Sequence, residues 1–382
     1  MDDITSRVLS GEDIVRHTNG EYFVSKELSK NIALPQWQVA INTAFLKKCS
    51  ELYSDYYIKL WNADEAANYE DLYYLAKQVS DALLDEFGNP AILGFVDSMK
   101  VYMEREISKD EYSYGRDSTD LRYNAGEACR YVKGVCSSML NRGPRHYDSL
   151  KLIKELLQVK SDTANLGIFT LNHDKYIENF FRSADIPFCD GFSKLTAEVA
   201  NWSPEIYQNP CAVRLYKLHG SIDWIRFRRE TEDADWHDEF VGKRLDPLAR
   251  YPDDANGVPL IDIDFGEHQF LVGTTNKLLE YHAGIYAELM YYFVERLKYS
   301  SELIISGYGF GDRGINTKIA QWFTSSRENR LIIIHGNMKK LREKGRGIPF
   351  NKWDEWVGAG RLVLIEKWIE EVTAEDILQY IN

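Results

Sequence analysis

The stretch ELIISGYGFGD occupies residues 302–312, an apolar run followed at once by three alternating glycines. A short apolar run that ends at a glycine is typical of a strand buried inside a parallel sheet. Glycines after such a strand leave the backbone bare, which suits the close approach of a phosphate or a ribose. The stretch therefore predicts a buried strand with a ligand at its carboxyl end, although the glycines lack the G-x-G-x-x-G spacing.

Similar apolar runs occur on both sides of this stretch. Strands are predicted at 166–171, 213–218, 331–334 and 361–365, and a helix-spaced apolar stripe runs from Leu278 to Leu297. Strand–helix–strand repetition with short connections implies a parallel sheet covered by helices on both faces. We therefore predict an α/β protein with a Rossmann-like, doubly wound parallel sheet.

The segment between these runs is harder to assign. Residues 222–227 and 269–273 are strand-like, whereas six acidic residues between Glu230 and Glu239 favour a solvated surface loop over residues 229–265. Near the end of the chain, Thr373 and Asp376 have the spacing of a capping box and predict the start of a last helix.

The pattern divides the chain into three parts. Residues 1–35 are predicted to be the opening strand and turn of the Rossmann-like domain. Residues 36–162 show helix-period spacing, for example at Leu72, Leu75 and Val79, and predict an inserted, mostly helical subdomain. Residues 163–382 are predicted to form the main Rossmann-like domain.

Composition limits the function classes. The 382 residues carry a net charge of −13, so we expect no direct binding of nucleic acid, because its phosphates repel an acidic chain. No apolar run is long enough to cross a membrane, and the acidic start at Met1 to Ile4 lacks the apolar stretch of a secretory signal, which predicts a cytoplasmic protein. The 24 tyrosines and 9 tryptophans are residue types common at subunit interfaces and favour a homo-oligomer.

The cysteines argue against disulfides and against zinc. There are five, an odd number, and no two form a C-x-x-C pair, so we expect reduced thiols. A zinc site of four cysteines does not fit these spacings, and His237, Asp238 and Glu239 are consecutive and would not converge on one ion. We therefore expect no metal.

Polar residues follow two of the predicted strands. In the sequence TLNHD at 170–174, the Asn172 amide offers both donors and an acceptor to a water or a ribose hydroxyl. In the sequence KLHGSIDW at 217–224, His219 precedes a glycine and has the side chain best suited to accept a proton near neutral pH. Both have structural alternatives, since an Asn or Asp at such a turn often caps a helix and a single His is often part of a core.

Four stretches in order carry a resemblance to a known family. They are TLNHD at 170–174, KLHGSIDW at 217–224, GTTNK at 273–277, and GYGFGD at 307–312 followed by Ile315 and Asn316. Over about residues 165–340 the chain resembles the sirtuin-like domains of bacterial antiviral systems, the branch that hydrolyses NAD.

The resemblance implies an activity and a set of site residues. It implies that Asn172 and His219 are catalytic and that the nicotinamide–ribose bond of NAD is cleaved, with NAD as substrate and without a metal. It also implies NAD contacts from seven further residues, namely Ser29, Thr170, Asp174, Gly220, Gly307, Phe310 and Asn337.

The chain departs from the family at two places. A G-A-G-x-S turn usually holds the pyrophosphate through bare backbone, but here the three small positions are Ser25, Lys26 and Glu27, and only the serine is kept, as Ser29. Side chains, and the negative charge of Glu27, would stand where phosphates should bind. The chain also lacks the two C-x-x-C pairs of the protein deacetylases, which argues against that activity.

Two functions follow from these observations. One is an NAD glycohydrolase that acts as an abortive-infection antiviral effector and is activated by oligomerisation or by a partner, such as a HerA-type ATPase or another phage-sensing protein. The alternative is a non-catalytic assembly or regulatory subunit of a defence complex, with a degenerate NAD site. The altered turn at 25–27 favours the second, whereas the retained Asn172 and His219 oppose it.

Overall fold

The structure of the protein is a computed structural model. It describes residues 2–17, 20–26, 37–61, 66–83, 90–107, 120–143, 146–159, 166–193, 199–230, 239–244, 253, 257–264, 267–273, 276–345 and 350–381. The chain divides into two compact units. The first comprises residues 1–142, 194–202 and 221–277, and the second comprises 143–193, 203–220 and 278–382. The first unit thus joins the predicted helical region to two segments that the sequence pattern assigns to the main domain.

Helices dominate the first unit. They are α1 (Asp2–Ser10), α2 (Trp37–Trp61), α3 (Tyr69–Ala82), α4 (Leu93–Ile107), which follows a 3-10 turn at Pro90–Ile92, and α5 (Leu121–Leu140). Helix α3 begins at Asn68, whose side chain accepts hydrogen bonds from the Glu70 and Asp71 amides, a capping box that satisfies the free donors of the first turn. Leu72 and Val79 are fully buried and Leu75 packs beside them, as the apolar stripe predicts.

The strands of the first unit are antiparallel. A pair is formed by β1 (Ile14–Arg16) and β2 (Tyr22–Val24), the strand predicted in the opening segment. A four-stranded sheet contains β5 (Val199–Asn201), β7 (Trp224–Arg229), β8 (Glu239–Arg244) and β9 (Leu260–Asp262), in the order β5-β8-β7-β9.

Two predictions for this segment are wrong. Residues 229–265 are not a continuous loop, because β8 and β9 lie within them. Strand β8 begins at Glu239, the last residue of the acidic run. Its Gly242 packs closely against β5, since a Cβ at this position would lie 2.5 Å from Val199 Cγ1. Residues 269–273 form no strand, although Phe270 and Val272 are buried in the core of the helical region. A short apolar run indicates burial, but its periodicity alone does not determine the secondary structure.

The second unit contains two parallel sheets. Strands β3 (Leu166–Thr170), β6 (Val213–Lys217) and β4 (Phe188–Cys189) form one in the order β3-β6-β4. Strands β10 (Glu302–Ser306), β11 (Arg330–Ile334) and β12 (Leu362–Ile365) form the other in that order. Parallel strands require crossover connections, and the connections here are largely helical, which confirms the predicted α/β, Rossmann-like class.

The helices of the second unit lie between these strands. They are α6 (Lys151–Val159), α7 (Tyr176–Ser183), α9 (Gly284–Lys298), α10 (Arg313–Ser325), α11 (Met338–Lys344), α12 (Trp353–Gly358) and α13 (Ala374–Leu378), while α8 (Asn276–Glu280) crosses the boundary between the units. Short 3-10 turns occur at Asp148–Leu150, Pro204–Gln208, Phe350–Lys352 and Ile369–Glu371.

Two features of these helices bear on the predictions. The Thr373 amide donates to the Asp376 carboxylate over 3.0 Å, so the predicted capping box starts α13. None of the helices in the described ranges is both long enough and apolar enough to cross a membrane.

Candidate active site

The carboxyl ends of β3 and β6 bring two of the predicted motifs together. The strands run parallel with Thr170 opposite Lys217, so the chain leaves both at the same edge. The Leu218 amide donates to the Thr170 carbonyl over 3.0 Å, which extends the pairing one residue beyond the strands. The rings of His173 and His219 stack with centroids 6.0 Å apart. The loops that carry Asn172 and His219 therefore lie side by side.

The loop after β3 presents Asn172 outward. The Thr170 hydroxyl accepts a hydrogen bond from the Asn172 amide N–H over 3.1 Å, which bends the chain at the strand end. The Asn172 side chain is exposed and makes no hydrogen bond to the part of the chain that the structure describes. Asp174 instead accepts from the Tyr176 amide over 2.9 Å, although the residue at the N-cap of α7 is Lys175, which makes no side-chain capping bond.

A buried ion pair between Lys217 and Glu178 stabilises the loop after β3. Lys217 Nζ lies 2.9 Å from Glu178 Oε1, and both side chains are 2% exposed. The same ammonium group donates to the Asp174 carbonyl. Lys217 thus ties the loop after β3 and helix α7 to strand β6. The sequence offered no role for this lysine beyond its place in the motif.

His219 is buried in a hydrogen-bonded cluster at the end of β6. Its Nε2 lies 2.5 Å from the Tyr281 hydroxyl and 3.2 Å from Asp312 Oδ2, and the Tyr281 hydroxyl donates to the same Asp312 oxygen over 2.7 Å. The turn that places the ring closes when the Gly220 amide donates to the Lys217 carbonyl, with Gly220 at φ 77°. That left-handed conformation favours glycine.

Asp312 comes from the loop after β10, so the ends of β6 and β10 both contribute to the cluster. Its second oxygen, Oδ1, accepts from the Ile315 amide over 3.0 Å and caps α10. Burial raises the pKa of Asp312, but hydrogen bonds from His219, the Ile315 amide and Tyr281 outweigh burial and lower the pKa to about 2. The carboxylate is therefore ionised at neutral pH.

The glycine-rich loop after β10 has one open side. For Gly307, Gly309 and Gly311, no described atom outside the adjoining residues lies within 4 Å of the position that a Cβ would take. Gly307 also has φ 68°, a conformation that side chains disfavour. Bare backbone with free space beside it suits the close approach of a ribose or a phosphate, so this loop fits the substrate that the resemblance implies.

The other predicted contact in this loop turns inward. Phe310 is fully buried, has φ 52°, and packs against the rings of Tyr308 and Trp353. Its carbonyl accepts from Asn316 Nδ2 over 2.8 Å, and the Tyr308 hydroxyl donates to Asn316 Oδ1 over 2.7 Å. These bonds hold the loop in shape from its buried side.

Two predicted NAD contacts, Asn337 and Ser29, are not part of the His219 cluster as the structure describes it. Asn337 follows β11, and its side chain accepts from the Lys340 amide over 2.8 Å to cap α11. Ser29 lies outside the described residues, as does Glu27, whereas the Ser25 amide donates to the Asp13 carbonyl over 2.8 Å.

Sequence reasoning missed two members of the His219 cluster. Asp312 ends the GYGFGD motif, and its position three residues before Ile315 is that of a helix cap, so the sequence held a signal for the carboxylate but not for its contact with His219. Tyr281 gave no signal, because it is one of 24 tyrosines and lies between two helices outside every motif.

Comparison with known families gives a match that covers this region of the chain. Residues 166–348 match the SIR2-like domain, which supports a sirtuin-like domain over this part of the chain, and such domains use NAD. The match includes the ends of β3, β6 and β10, and with them Asn172, His219 and Asp312. A search of curated proteins finds no match to the chain. Within the described ranges, no group of three or more His, Cys, Asp or Glu side chains is placed to hold a metal ion.

Proposed function

We propose that the protein is an NAD glycohydrolase that cleaves NAD to nicotinamide and ADP-ribose. The observation that carries this proposal is the position of His219, beside the loop of Asn172 at adjacent strand ends of a SIR2-like region. A histidine that can accept a proton and an exposed amide that can position a hydroxyl are the two groups that the hydrolysis needs. In Rossmann-like folds, ligands bind at this edge of the sheet.

Each residue has a role that its contacts allow. The substrate supplies its own leaving group, because nicotinamide departs neutral from a positively charged ring. The exposed Asn172 amide would hold the attacking water or a ribose hydroxyl, and His219 would accept a proton from it. The open side of Gly307 and its neighbouring glycines would admit the ribose or the phosphates. Lys217 would keep the Asn172 loop in place through its bond to the Asp174 carbonyl.

The biological role that we propose is that of an abortive-infection effector in the bacterial cytoplasm. Unregulated loss of NAD would kill the host cell, so such an activity must be held off until infection. The four motifs resemble those of antiviral sirtuin-like proteins, which supports activation by oligomerisation or by a partner such as a HerA-type ATPase or another phage-sensing protein.

The direct test measures nicotinamide release from NAD by the purified protein, alone and together with the products of its neighbouring genes. We expect Asn172→Ala and His219→Ala each to lower the rate at least about 10²-fold, the scale of general acid–base catalysis. Asn209→Ala is the matched control, because this asparagine of the second unit is also exposed. NAD loss that survives Asn172→Ala would contradict the mechanism. No release under any activating condition would favour the non-catalytic subunit.

A further inference from the structure

We propose that Tyr281 and Asp312 are positioning residues that hold His219 with its hydrogen on Nε2, so that Nδ1 is the nitrogen that accepts the proton. This inference rests on the proposed function and names the base atom of the same site. It assigns roles to two side chains outside the catalytic pair, and it follows from where the hydrogens of the cluster must lie.

Three atoms form a closed triangle in the cluster. His219 Nε2, the Tyr281 hydroxyl oxygen and Asp312 Oδ2 are separated by 2.5, 2.7 and 3.2 Å. All three side chains are buried or nearly so, the His219 and Asp312 side chains being 5% and 9% exposed. Hydrogen bonds are stronger in such surroundings, and an unsatisfied donor or acceptor costs more.

Counting hydrogens decides the tautomer. An ionised carboxylate only accepts, so both groups that contact Asp312 Oδ2 must donate to it. Tyr281 has a single hydroxyl hydrogen and gives it to Asp312, which leaves an oxygen lone pair facing Nε2. Both neighbours of Nε2 are then acceptors, and Nε2 must carry a hydrogen. A neutral imidazole has one N–H, so the lone pair that can take up a proton lies on Nδ1.

The proton transfer balances in this arrangement. The O–H bond of a water or ribose hydroxyl breaks and leaves its electron pair on oxygen, while an N–H bond forms at Nδ1. His219 becomes an imidazolium ion whose Nε2–H still faces the Asp312 carboxylate, 3.2 Å away. Asp312 stays ionised throughout and stabilises the charge that appears on the ring.

The surroundings fix the two positioning side chains. Asp312 uses Oδ1 to cap α10, which orients Oδ2 towards the histidine. The Tyr281 ring lies so close to α10 that a Cβ on Gly314 would be 2.7 Å from its Cε2. The backbone thus permits this position of the tyrosine only because residue 314 has no side chain.

The first test is independent of any activity. In protein labelled with ¹⁵N-histidine, the ring nitrogens of His219 are assigned by loss of their signals in His219→Gln, at a pH where the ring is neutral. We expect Nε2 to be protonated and Nδ1 to be unprotonated. Asp312→Asn should abolish this preference and give a mixture of tautomers. A wild-type ring with its hydrogen on Nδ1 would overturn the proposal whether or not the protein cleaves NAD.

The second test uses kinetics. Tyr281→Phe keeps the ring, and Asp312→Asn keeps the cap because Asn caps helices as well as Asp. Each should lower kcat for nicotinamide release about 10- to 10²-fold and change KM little. The loss should be no greater than that in His219→Ala, because the imidazole that accepts the proton is still present.

The controls separate positioning from folding. Tyr207→Phe removes another buried hydroxyl of the second unit, one that donates to the Leu215 carbonyl over 3.0 Å. Asp120→Asn changes another aspartate cap, at α5. Both should leave kcat within about twofold of wild type, because neither side chain contacts His219, Tyr281 or Asp312. Unchanged kcat in Tyr281→Phe and Asp312→Asn, or equal losses in the controls, would overturn the proposal. A wild type that never releases nicotinamide would overturn the proposed function, while the tautomer measurement would still decide the positioning roles.

Discussion

Lys217 shows at the level of a single residue how the site depends on a buried charge. It is paired with Glu178 where both side chains are 2% exposed, and it also donates to the Asp174 carbonyl. Lys217→Met would leave the Glu178 carboxylate buried without its counter-ion. We expect the free energy of unfolding, measured with urea, to fall by about 3–5 kcal/mol.

The double variant Lys217→Met with Glu178→Leu provides the matched comparison. Replacing both partners by apolar groups removes the uncompensated charge and should recover most of the loss. Lys77→Met is the control for a partly exposed pair, since the Lys77 and Asp81 side chains are 36% and 17% exposed, and it should cost less than Lys217→Met because solvent screens the Asp81 charge that remains. A double variant as unstable as Lys217→Met would contradict this account.

The lowered pKa of Asp312 predicts how the free energy of unfolding depends on pH. Its pKa is lowered from 3.8 to about 2 in the folded protein, so on acidification the unfolded chain binds a proton before the folded chain does. The stability that its charge contributes is therefore complete above about pH 4 and is lost as the pH falls towards 2. The difference in unfolding free energy between wild type and Asp312→Asn should shrink as the pH falls from about 4 to about 2, as measured by urea titrations. A constant difference across this window would contradict the hydrogen bonds assigned to the carboxylate.

The glycine-rich loop after β10 makes a prediction at the level of an element. Gly309 has free space on its open side, so Gly309→Ala should change the unfolding free energy by less than about 0.5 kcal/mol. Its added methyl group would stand in the space proposed for the substrate, and we expect KM for NAD to rise. Binding and turnover are separated by steady-state kinetics of nicotinamide release.

Gly314→Ala tests the neighbouring helix α10. Its Cβ would lie 2.7 Å from Tyr281 Cε2, so the ring must move, which should cost about 1–3 kcal/mol and lower kcat through His219. Gly126→Ala in α5 is the control, because nothing lies within 4 Å of its Cβ position and Ala favours helices, so stability should stay level or rise. If Gly309→Ala and Gly314→Ala behaved alike, the distinction between open loop and packed helix would be wrong.

The elements also show how far sequence reasoning reached. The positions of strands β10 and β11 and the cap of α13 follow from local patterns, namely an apolar run before glycine and a Thr–Asp spacing. The predicted burial holds for β11, whereas in β10 only Ile305 is buried. Strand β8 does not, because its apolar residues are few and an acidic run precedes it. The partners of His219 could not be predicted either, since Tyr281 reaches it from 62 residues away in sequence and no local pattern encodes that contact.

In the whole molecule, each of the two compact units is built from segments that are not contiguous in sequence. The region that matches the SIR2-like domain, residues 166–348, includes segments 194–202 and 221–277, which belong to the first unit. The chain therefore passes between the units more than once within one family domain. A boundary drawn along the sequence could not express this division, because contacts rather than chain order define the units.

The cysteines report separately on the two units and give a prediction for the whole molecule. Cys49, Cys129 and Cys136 are buried in the first unit, where burial raises the pKa of Cys129 and of Cys136 to about 12. Cys189 and Cys211 are partly exposed in the second unit. Burial also raises the pKa of Cys189 to about 12, so exposure rather than pKa separates the two groups. Because burial keeps a thiol reagent away from the first three sulfur atoms, the reagent at pH 8 should leave them unmodified in the native protein.

Peptide mass spectrometry after timed labelling measures each thiol. We expect any modification of the native protein to be confined to Cys189 and Cys211, and all five cysteines to react in denaturant because each is a free thiol. With intermediate urea concentrations, modification of the three buried thiols follows the opening of the first unit, whose helical core contains them. Rapid labelling of Cys49 or Cys136 in the native protein would contradict the packing of that core, because both are fully buried there.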